Sequence, residues 1–362
     1  MDERFDIAII GAGMAGASLA ASLVGQGRLA LIEAEGQAGY HTTGRSAAFW
    51  TESYGGPGVQ PLTSASGQTL PDRGFLSPRA ALTIGQAAQE GAVRAFAGQF
   101  SARGVAVELL DRAGIARMVP GIRPEWTIAA LEPSCCDIDV AGLHHHYLGA
   151  VRAQGGTLML NARAAARRKA KHGGWRLTLA DGRTVACGLL VNAAGAWADD
   201  LARMAGVTPL GIRPLRRTMV QLGVTPDVPA SLPLVLDIGE SFYFKPEGGG
   251  LWLSPPDETP SPPCDAAPEE IDVAIAVDRL EKGVDWRVYR VAHRWAGLRS
   301  FAPDRLPVYG FDPGDTAFFW FAGQGGFGIQ TAPAAARLAA DAIIGRSPGE
   351  IDPAPYAPAR FR

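Results

Sequence analysis

The residues between Phe5 and Glu33 constrain this 362-residue chain more than any other stretch. Phe5 to Ile10 reads FDIAII, Gly11-Ala12-Gly13-Met14-Ala15-Gly16 follows without a break, and an alanine- and leucine-rich run continues to Val24. The spacing predicts strand, tight turn and helix. In such a unit Gly11 permits the turn, Gly13 lets the backbone approach a pyrophosphate, and Gly16 lets the helix pack closely on the strand, with the first helical N–H groups facing the anion. A second apolar run, Leu29 to Ile32, ends in Glu33 about twenty residues after the turn, where a carboxylate accepts hydrogen bonds from a ribose and disfavours a 2′-phosphate. Ile7 to Gly27 carries no charge, so length alone also allows a membrane helix. The joint pattern favours the nucleotide turn.

Composition removes other classes. With 47% hydrophobic residues and 34 Lys+Arg against 36 Asp+Glu, the chain can bury a core and offers no basic footprint for nucleic acid. Its length suits two domains of roughly 100–200 residues each. The 45 glycines and 27 prolines are far more than average usage, which implies many special backbone geometries. Cys135, Cys136, Cys187 and Cys264 contain no CxxC pair, which reads as a reducing, cytoplasmic compartment, and the acidic start is the wrong opening for a secretory signal.

Beyond Glu33 the chain does not continue as a simple alternation of strands and helices. Gly39-Tyr40-His41-Thr42-Thr43-Gly44-Arg45-Ser46-Ala47-Ala48 is a run of mostly small and hydroxyl residues, suited to backbone lying against a planar ring and a diphosphate. A helix is predicted from Val140 to Gln154, opened by Asp137 and Asp139, and a strand pair at Thr157 to Leu160 and Trp175 to Leu179. Leu189 to Val191 leads into Asn192-Ala193-Ala194-Gly195-Ala196-Trp197, a buried strand whose small-residue end leaves room for a ligand. Pro255 to Pro268 holds six prolines and reads as an ordered loop or a lid. A helix to Gly283 follows, then a strand at Phe318 to Phe321, a second glycine-rich segment from Gly323 to Gln330, and an alanine-rich helix to Ile344.

These blocks, with ESFYFKP (240 to 246) and WAGLRSF (295 to 301), resemble the D-amino acid oxidase superfamily of flavoproteins, most closely its bacterial D-arginine dehydrogenase type. The resemblance implies an α/β two-domain fold: a Rossmann-like FAD-binding domain from residues 1–50, 139–205 and 295–362, and a substrate domain on a mixed or antiparallel sheet from 51–138 and 206–294. It implies non-covalent FAD held by Gly11, Ala12, Gly13, Met14, Ala15, Gly16, Glu33, Thr42, Thr43, Gly44, Arg45, Ser46, Ala47, Ala48, Ala164, Ala194, Gly195, Trp197, Gly325, Gly326, Gly328, Ile329 and Gln330, and no metal. Arg217 and Arg299 then match the pair that binds a substrate α-carboxylate, with hydroxyls from Tyr54 and Tyr243 and the Gly326 carbonyl on the amine. On the residues alone, Arg216 and Arg217 also read as a solvated pair at a strand end, Tyr243 as a core aromatic, and Lys245 as a snorkelling side chain. His144, His145 and His146 diverge around a helix, which argues against a metal site.

The chain departs from its arginine-preferring relatives where they carry a glutamate: Ser77-Pro78-Arg79-Ala80-Ala81 has Ala81 there. Phe49 replaces a histidine, and Leu234 and Leu236 match pocket positions. A buried guanidinium without a counter-charge costs several kcal/mol, so cationic substrates are expected to be poor unless Glu52 or a carboxylate from the proline-rich loop compensates. The reading is oxidative deamination of neutral or apolar D-amino acids by a dehydrogenase. A glycine- or sarcosine-type oxidase and a non-catalytic FAD-binding subunit are the alternatives. Oxygen or a quinone is the open electron acceptor.

Overall fold

The computed structural model describes residues 3–169 and 174–362, so Met1 and Asp2 of the acidic opening lie outside the described residues. Strand Glu3–Ile10, the glycine turn, helix Met14–Leu23 and strand Leu29–Ile32 form in the predicted order. The uncharged run is thereby divided, and among the described residues no helix is long and apolar enough to cross a membrane.

Five parallel strands lie in the order Thr157–Met159, Leu29–Ile32, Glu3–Ile10, Thr184–Asn192, Asp315–Ala322. Both faces are covered, which is why these strands read as nearly unbroken apolar runs. Within Phe318-Phe319-Trp320-Phe321, the first and third side chains pack with Ala198, Ala202 and Leu177, and the second and fourth with Leu19, Ala335 and Ala339. Helix Val140–Ala153 is capped by Asp139, whose carboxylate accepts from the Gly142 N–H at 2.8 Å. The expected strand pair is corrected here: Thr157–Met159 lies beside Leu29–Ile32, whereas Trp175–Leu179 pairs antiparallel with Ala164–Lys169 and Thr184–Asn192. Short apolar runs specify strands without specifying their partners.

The second layer is a ten-stranded, largely antiparallel sheet whose one parallel pair joins Ala81–Gln86 to Leu234–Asp237. Helix Glu270–Gly283 buries Val273, Ala276 and Leu280 among its apolar side chains. Two stretches cross the expected domain boundaries. Strand Arg287–Phe301 pairs with Arg213–Thr225 over almost its whole length, so residues 295–301 belong to this sheet. Helix Gln60–Gly67 packs instead on Ala332–Ile344, where Ser66 Oγ accepts from the Ala334 N–H at 3.2 Å. A 15-residue strand is long enough to serve both layers, which motif spacing does not reveal.

The turn glycines act as their spacing requires. Gly11 has φ +102°, and a Cβ there would lie 2.4 Å from the Ala193 carbonyl oxygen; a Cβ on Gly16 would lie 1.8 Å from the Gly11 oxygen. Gly16→Ala is therefore expected to lower Tm by roughly 3–4 °C, through overpacking of about 2–3 kcal/mol. An unchanged Tm in a calorimetric scan would contradict that packing.

Candidate active site

One cavity of about 410 Å³ runs from the glycine turn past Glu33 and the 39–49 loop to Arg217, Tyr243, Arg299 and Gly326. Every residue expected at the cofactor lines it except Ala12, Gly16 and Gly44, which instead shape the backbone. Ala12 donates its N–H to Glu33 Oε2 at 2.8 Å, and its carbonyl accepts from His144 Nε2 at 2.9 Å. Gly44 donates to the Gly39 carbonyl at 2.8 Å. The 39–48 loop is fixed from two sides: Thr43 Oγ1 accepts from the Met14 N–H at 2.9 Å, while Thr42 Oγ1 donates to the Leu298 carbonyl at 2.8 Å and Arg45 donates to the Ala266 carbonyl at 2.8 Å.

The residues present fit a dinucleotide. Helix Met14–Leu23 starts at Gly13, which supplies no side-chain cap, and has no acidic residue in its first turn; Thr43 takes the Met14 N–H, and the uncompensated positive end suits an anionic ligand. A Cβ at Gly13 would meet only Thr43 Oγ1, at 3.2 Å. The small residues Ser46, Ala47, Ala48, Gly325 and Gly328 also line the cavity, and backbone so sparsely covered can lie against a planar ring.

The far end of the cavity is built from five separated segments. Arg217 lies on strand Arg213–Thr225, Arg299 on the neighbouring Arg287–Phe301, and Tyr243 two strands away. Tyr54 comes from the 51–54 turn and accepts from Arg299 Nη1 at 3.0 Å. A Cβ on Gly326 would lie 2.7 Å from Arg299 Nη1 and 3.0 Å from the Tyr54 hydroxyl, so only glycine backbone fits between them. The solvated-pair reading of Arg216 and Arg217 is corrected: both guanidiniums are buried and diverge along the strand. Arg216 bonds Asp272 at 2.9 Å and Glu269, whereas Arg217 faces the cavity and donates from Nε to the Asp257 carbonyl at 3.0 Å. Burial pushes the Arg299 guanidinium below its ordinary pKa, against the opposing pull of Tyr54, Tyr243 and Glu258.

A model of the FAD dependent oxidoreductase family, DAO, matches residues 6–342. The chain belongs to this family. A glycine oxidase of Pseudomonas aeruginosa is 36% identical over 174 residues, 46% of this chain and 44% of that protein, so the chain matches under half the length of this curated relative. The flavoprotein fold is shared with a glycine oxidase structure from Geobacillus kaustophilus (TM-score 0.86, 21% identity, 99% of this chain and 100% of that one) and with an L-proline dehydrogenase from P. horikoshii (TM-score 0.87, 20% identity, 100% and 98%).

Within this flavoprotein several expected pocket residues lie elsewhere. Phe49 lines the cavity, but Ala81, Leu234 and Leu236 do not; they pack behind it in a cluster with Phe49, Cys135, Tyr54 and Tyr243. Lys245 does not snorkel. It is 3% exposed and bonds Asp137 at 2.7 Å and Glu247 at 2.9 Å. Glu52 is not a cavity residue, and its carboxylate accepts from Ser64. The proline-rich loop is strapped down: Thr259–Pro260 pairs with Arg213–Thr225, and the Ser261 N–H donates to the Pro214 carbonyl at 3.1 Å.

Three further carboxylates stand at this end: Asp257 and Glu258 belong to the proline-rich loop from which a compensating carboxylate was expected, whereas Glu132 carried no sequence signal. Glu132, 2% exposed, pairs in register with Ala81 and so lies beside the position where relatives carry a glutamate. Its oxygens accept from the N–H groups of Glu52 at 2.7 Å and Ser53 at 3.2 Å, which holds the turn carrying Tyr54. Asp257 accepts from the Thr218 N–H at 2.7 Å and hydroxyl at 3.0 Å, and Glu258 accepts from Arg299 Nη2 at 2.5 Å.

Two outcomes follow from this geometry. Gly13→Val should fold with little change in the Tm of the flavin-free protein but lose most of its FAD, read from absorbance after purification; full flavin content would contradict the assignment. Burial holds the His144 imidazole below its ordinary pKa, against the Ala12 carbonyl and Glu33, so neutral Nε2–H is the donor to Ala12. Because the unfolded chain takes up that proton first, stability is full above about pH 6.5 and is lost as pH falls through it. His144→Gln should flatten the Tm profile between about pH 7.5 and 5.5; an unchanged slope would contradict this.

Proposed function

We propose that the protein oxidises the C–N bond of glycine or a small neutral D-amino acid, and that Arg217 and Arg299 seat the substrate carboxylate beside the cofactor. The observation that carries this reading is the pair of buried guanidiniums on adjacent strands, facing one cavity with Tyr54, Tyr243 and Gly326. Bound FAD supplies the hydride acceptor. Arg299 Nε is buried without a hydrogen-bond partner, a donor that a carboxylate would satisfy. Asp257 and Glu258 are shared among Arg217, Arg299 and Arg305, so neither arginine of the buried pair has a carboxylate to itself, which leaves donors for one further carboxylate. The Tyr243 hydroxyl donates only to Met219 Sδ, at 3.1 Å, a weak acceptor that a substrate oxygen would replace favourably.

The wall beside the arginine pair is aromatic: the Phe49 ring packs edge-on against Tyr54 at 5.1 Å and Tyr243 at 6.2 Å, with Ala81 and Leu234 behind it, which suits a neutral side chain. The likeness to glycine oxidases narrows the expected preference for apolar D-amino acids toward their smallest members. Among the described residues no carboxylate lines the cavity at this end, and Glu258, which lies outside the lining, is already shared by Arg299 and Arg305, so nothing there receives a cationic side chain.

Anaerobic addition of glycine or D-alanine is expected to bleach the flavin, with D-leucine, D-phenylalanine and D-arginine slower and L-amino acids inert. Faster bleaching by D-arginine, or none by any amino acid, would overturn the proposal. Arg299→Met should raise KM for the best substrate by roughly a hundredfold with FAD retained, since breaking a buried charged pair costs about 2–5 kcal/mol. An unchanged KM would remove Arg299 from the carboxylate seat. Comparing oxygen consumption with dye reduction assigns the acceptor.

A further inference from the structure

The most unusual neighbour of the arginine pair belongs to the protein itself. Glu258 places Oε1 2.5 Å from Arg299 Nη2 and 3.7 Å from Arg217 Nη2, the two groups read above as the substrate carboxylate seat. The same carboxylate is held on its other side by Arg305, whose Nη1 donates to Oε2 at 3.0 Å and Nη2 to Oε1 at 2.7 Å. Arg305 is half exposed, whereas the Arg299 side chain is 12% exposed. Arg299 is thus paired, from outside the residues that line the cavity, with a carboxylate that has a second, two-bonded partner in reach.

The backbone around Glu258 is fixed. Asp257 before it is held through its carboxylate by Thr218 and through its carbonyl by Arg217, and Thr259–Pro260 after it is paired to the same strand. Freedom is therefore concentrated in the Glu258 side chain, and the proline-rich segment serves as a strap for it and not as a lid.

We propose that Glu258 is a built-in competitor for the substrate carboxylate, resting on Arg299 in the free enzyme and retreating onto Arg305 alone when a ligand carboxylate enters. This rests on reading Arg217 and Arg299 as the carboxylate seat. The retreat breaks the ion pairs to Arg299 and Arg217 and keeps both bonds to Arg305. In the empty site Glu258 spares Arg299 the penalty of a buried, unpaired charge. On binding, its displacement weakens the apparent affinity by the fraction of molecules in which the seat is free. Glu258 thereby sets a threshold that only a ligand with a full carboxylate, able to replace it on Arg299, can cross.

The test measures acetate binding to the FAD-loaded protein through the perturbation of the flavin absorption spectrum. Glu258→Gln should tighten acetate about tenfold or more and lower KM for glycine by a similar factor. Arg305→Met, which removes the retreat position and leaves Glu258 to Arg299 alone, should weaken acetate by a comparable factor, and the double variant should behave like Glu258→Gln. The opposite signs distinguish competition from a general loosening of the site, which would weaken binding in both single variants. Equal acetate affinity in wild type and Glu258→Gln, or changes of the same sign in the two single variants, would overturn the competitor role while leaving the carboxylate seat intact. Failure of acetate to perturb the flavin in wild type and Glu258→Gln alike would overturn the seat, and the competitor with it.

Discussion

A guanidinium taken out of water has to be compensated, and the substrate end of this molecule is arranged around that requirement at Arg299. Its side chain is 12% exposed, its Nη atoms bond the Tyr54 hydroxyl and Glu258, and its Nε is left without a partner. Burying a charge this way is unfavourable unless hydrogen bonds and counter-charges are nearly complete. The site is nearly complete and not fully so, which is the condition for binding an anion selectively.

Holding that balance draws on segments far apart in the chain. Glu132 and Gln330 fix the turn that presents Tyr54: Glu132 through the N–H groups of Glu52 and Ser53, Gln330 through the Tyr54 carbonyl at 3.1 Å and Thr63 Oγ1 at 2.9 Å. Gly326 brings backbone against Arg299 where no side chain fits. Strand Arg287–Phe301 carries Arg299 and, through the Leu298 and Ala296 carbonyls, also anchors the 39–48 loop at Thr42 and Arg45. Arg299 and the wall of the cofactor cavity are thus parts of one hydrogen-bonded strand, so a carboxylate seated on Arg299 as proposed would keep a fixed relation to the cofactor.

The dinucleotide end was legible in the sequence because close backbone approach demands glycine at particular positions, and Gly11, Gly13 and Gly16 leave a signature independent of the rest of the fold. The parallel strands were legible for a similar reason: burial on both faces requires unbroken apolar runs such as Phe318 to Phe321. Pairing was not, since Trp175–Leu179 and Thr157–Met159 carry the same local signal and sit on different strands. Glu132 stayed hidden, and the expected carboxylate of the proline-rich loop could not be assigned to Asp257 or Glu258, because a carboxylate in a loop or on a strand reads as solvated until the tertiary structure sets it against a buried donor. Lys245 was misjudged likewise, its partner Asp137 lying 108 residues away. Ala81, Leu234 and Leu236, expected at the substrate side chain, lie one layer behind the cavity, which Phe49, Tyr54 and Tyr243 line.

The central claim is that two arginines and a displaceable glutamate form a seat for one carboxylate at the end of a flavin cavity. A crystal structure of the FAD-loaded protein with acetate bound tests it most directly. The predicted result is acetate within hydrogen-bond distance of Arg217 and Arg299, and Glu258 on Arg305 alone. Acetate bound elsewhere, with Glu258 still on Arg299, would contradict it.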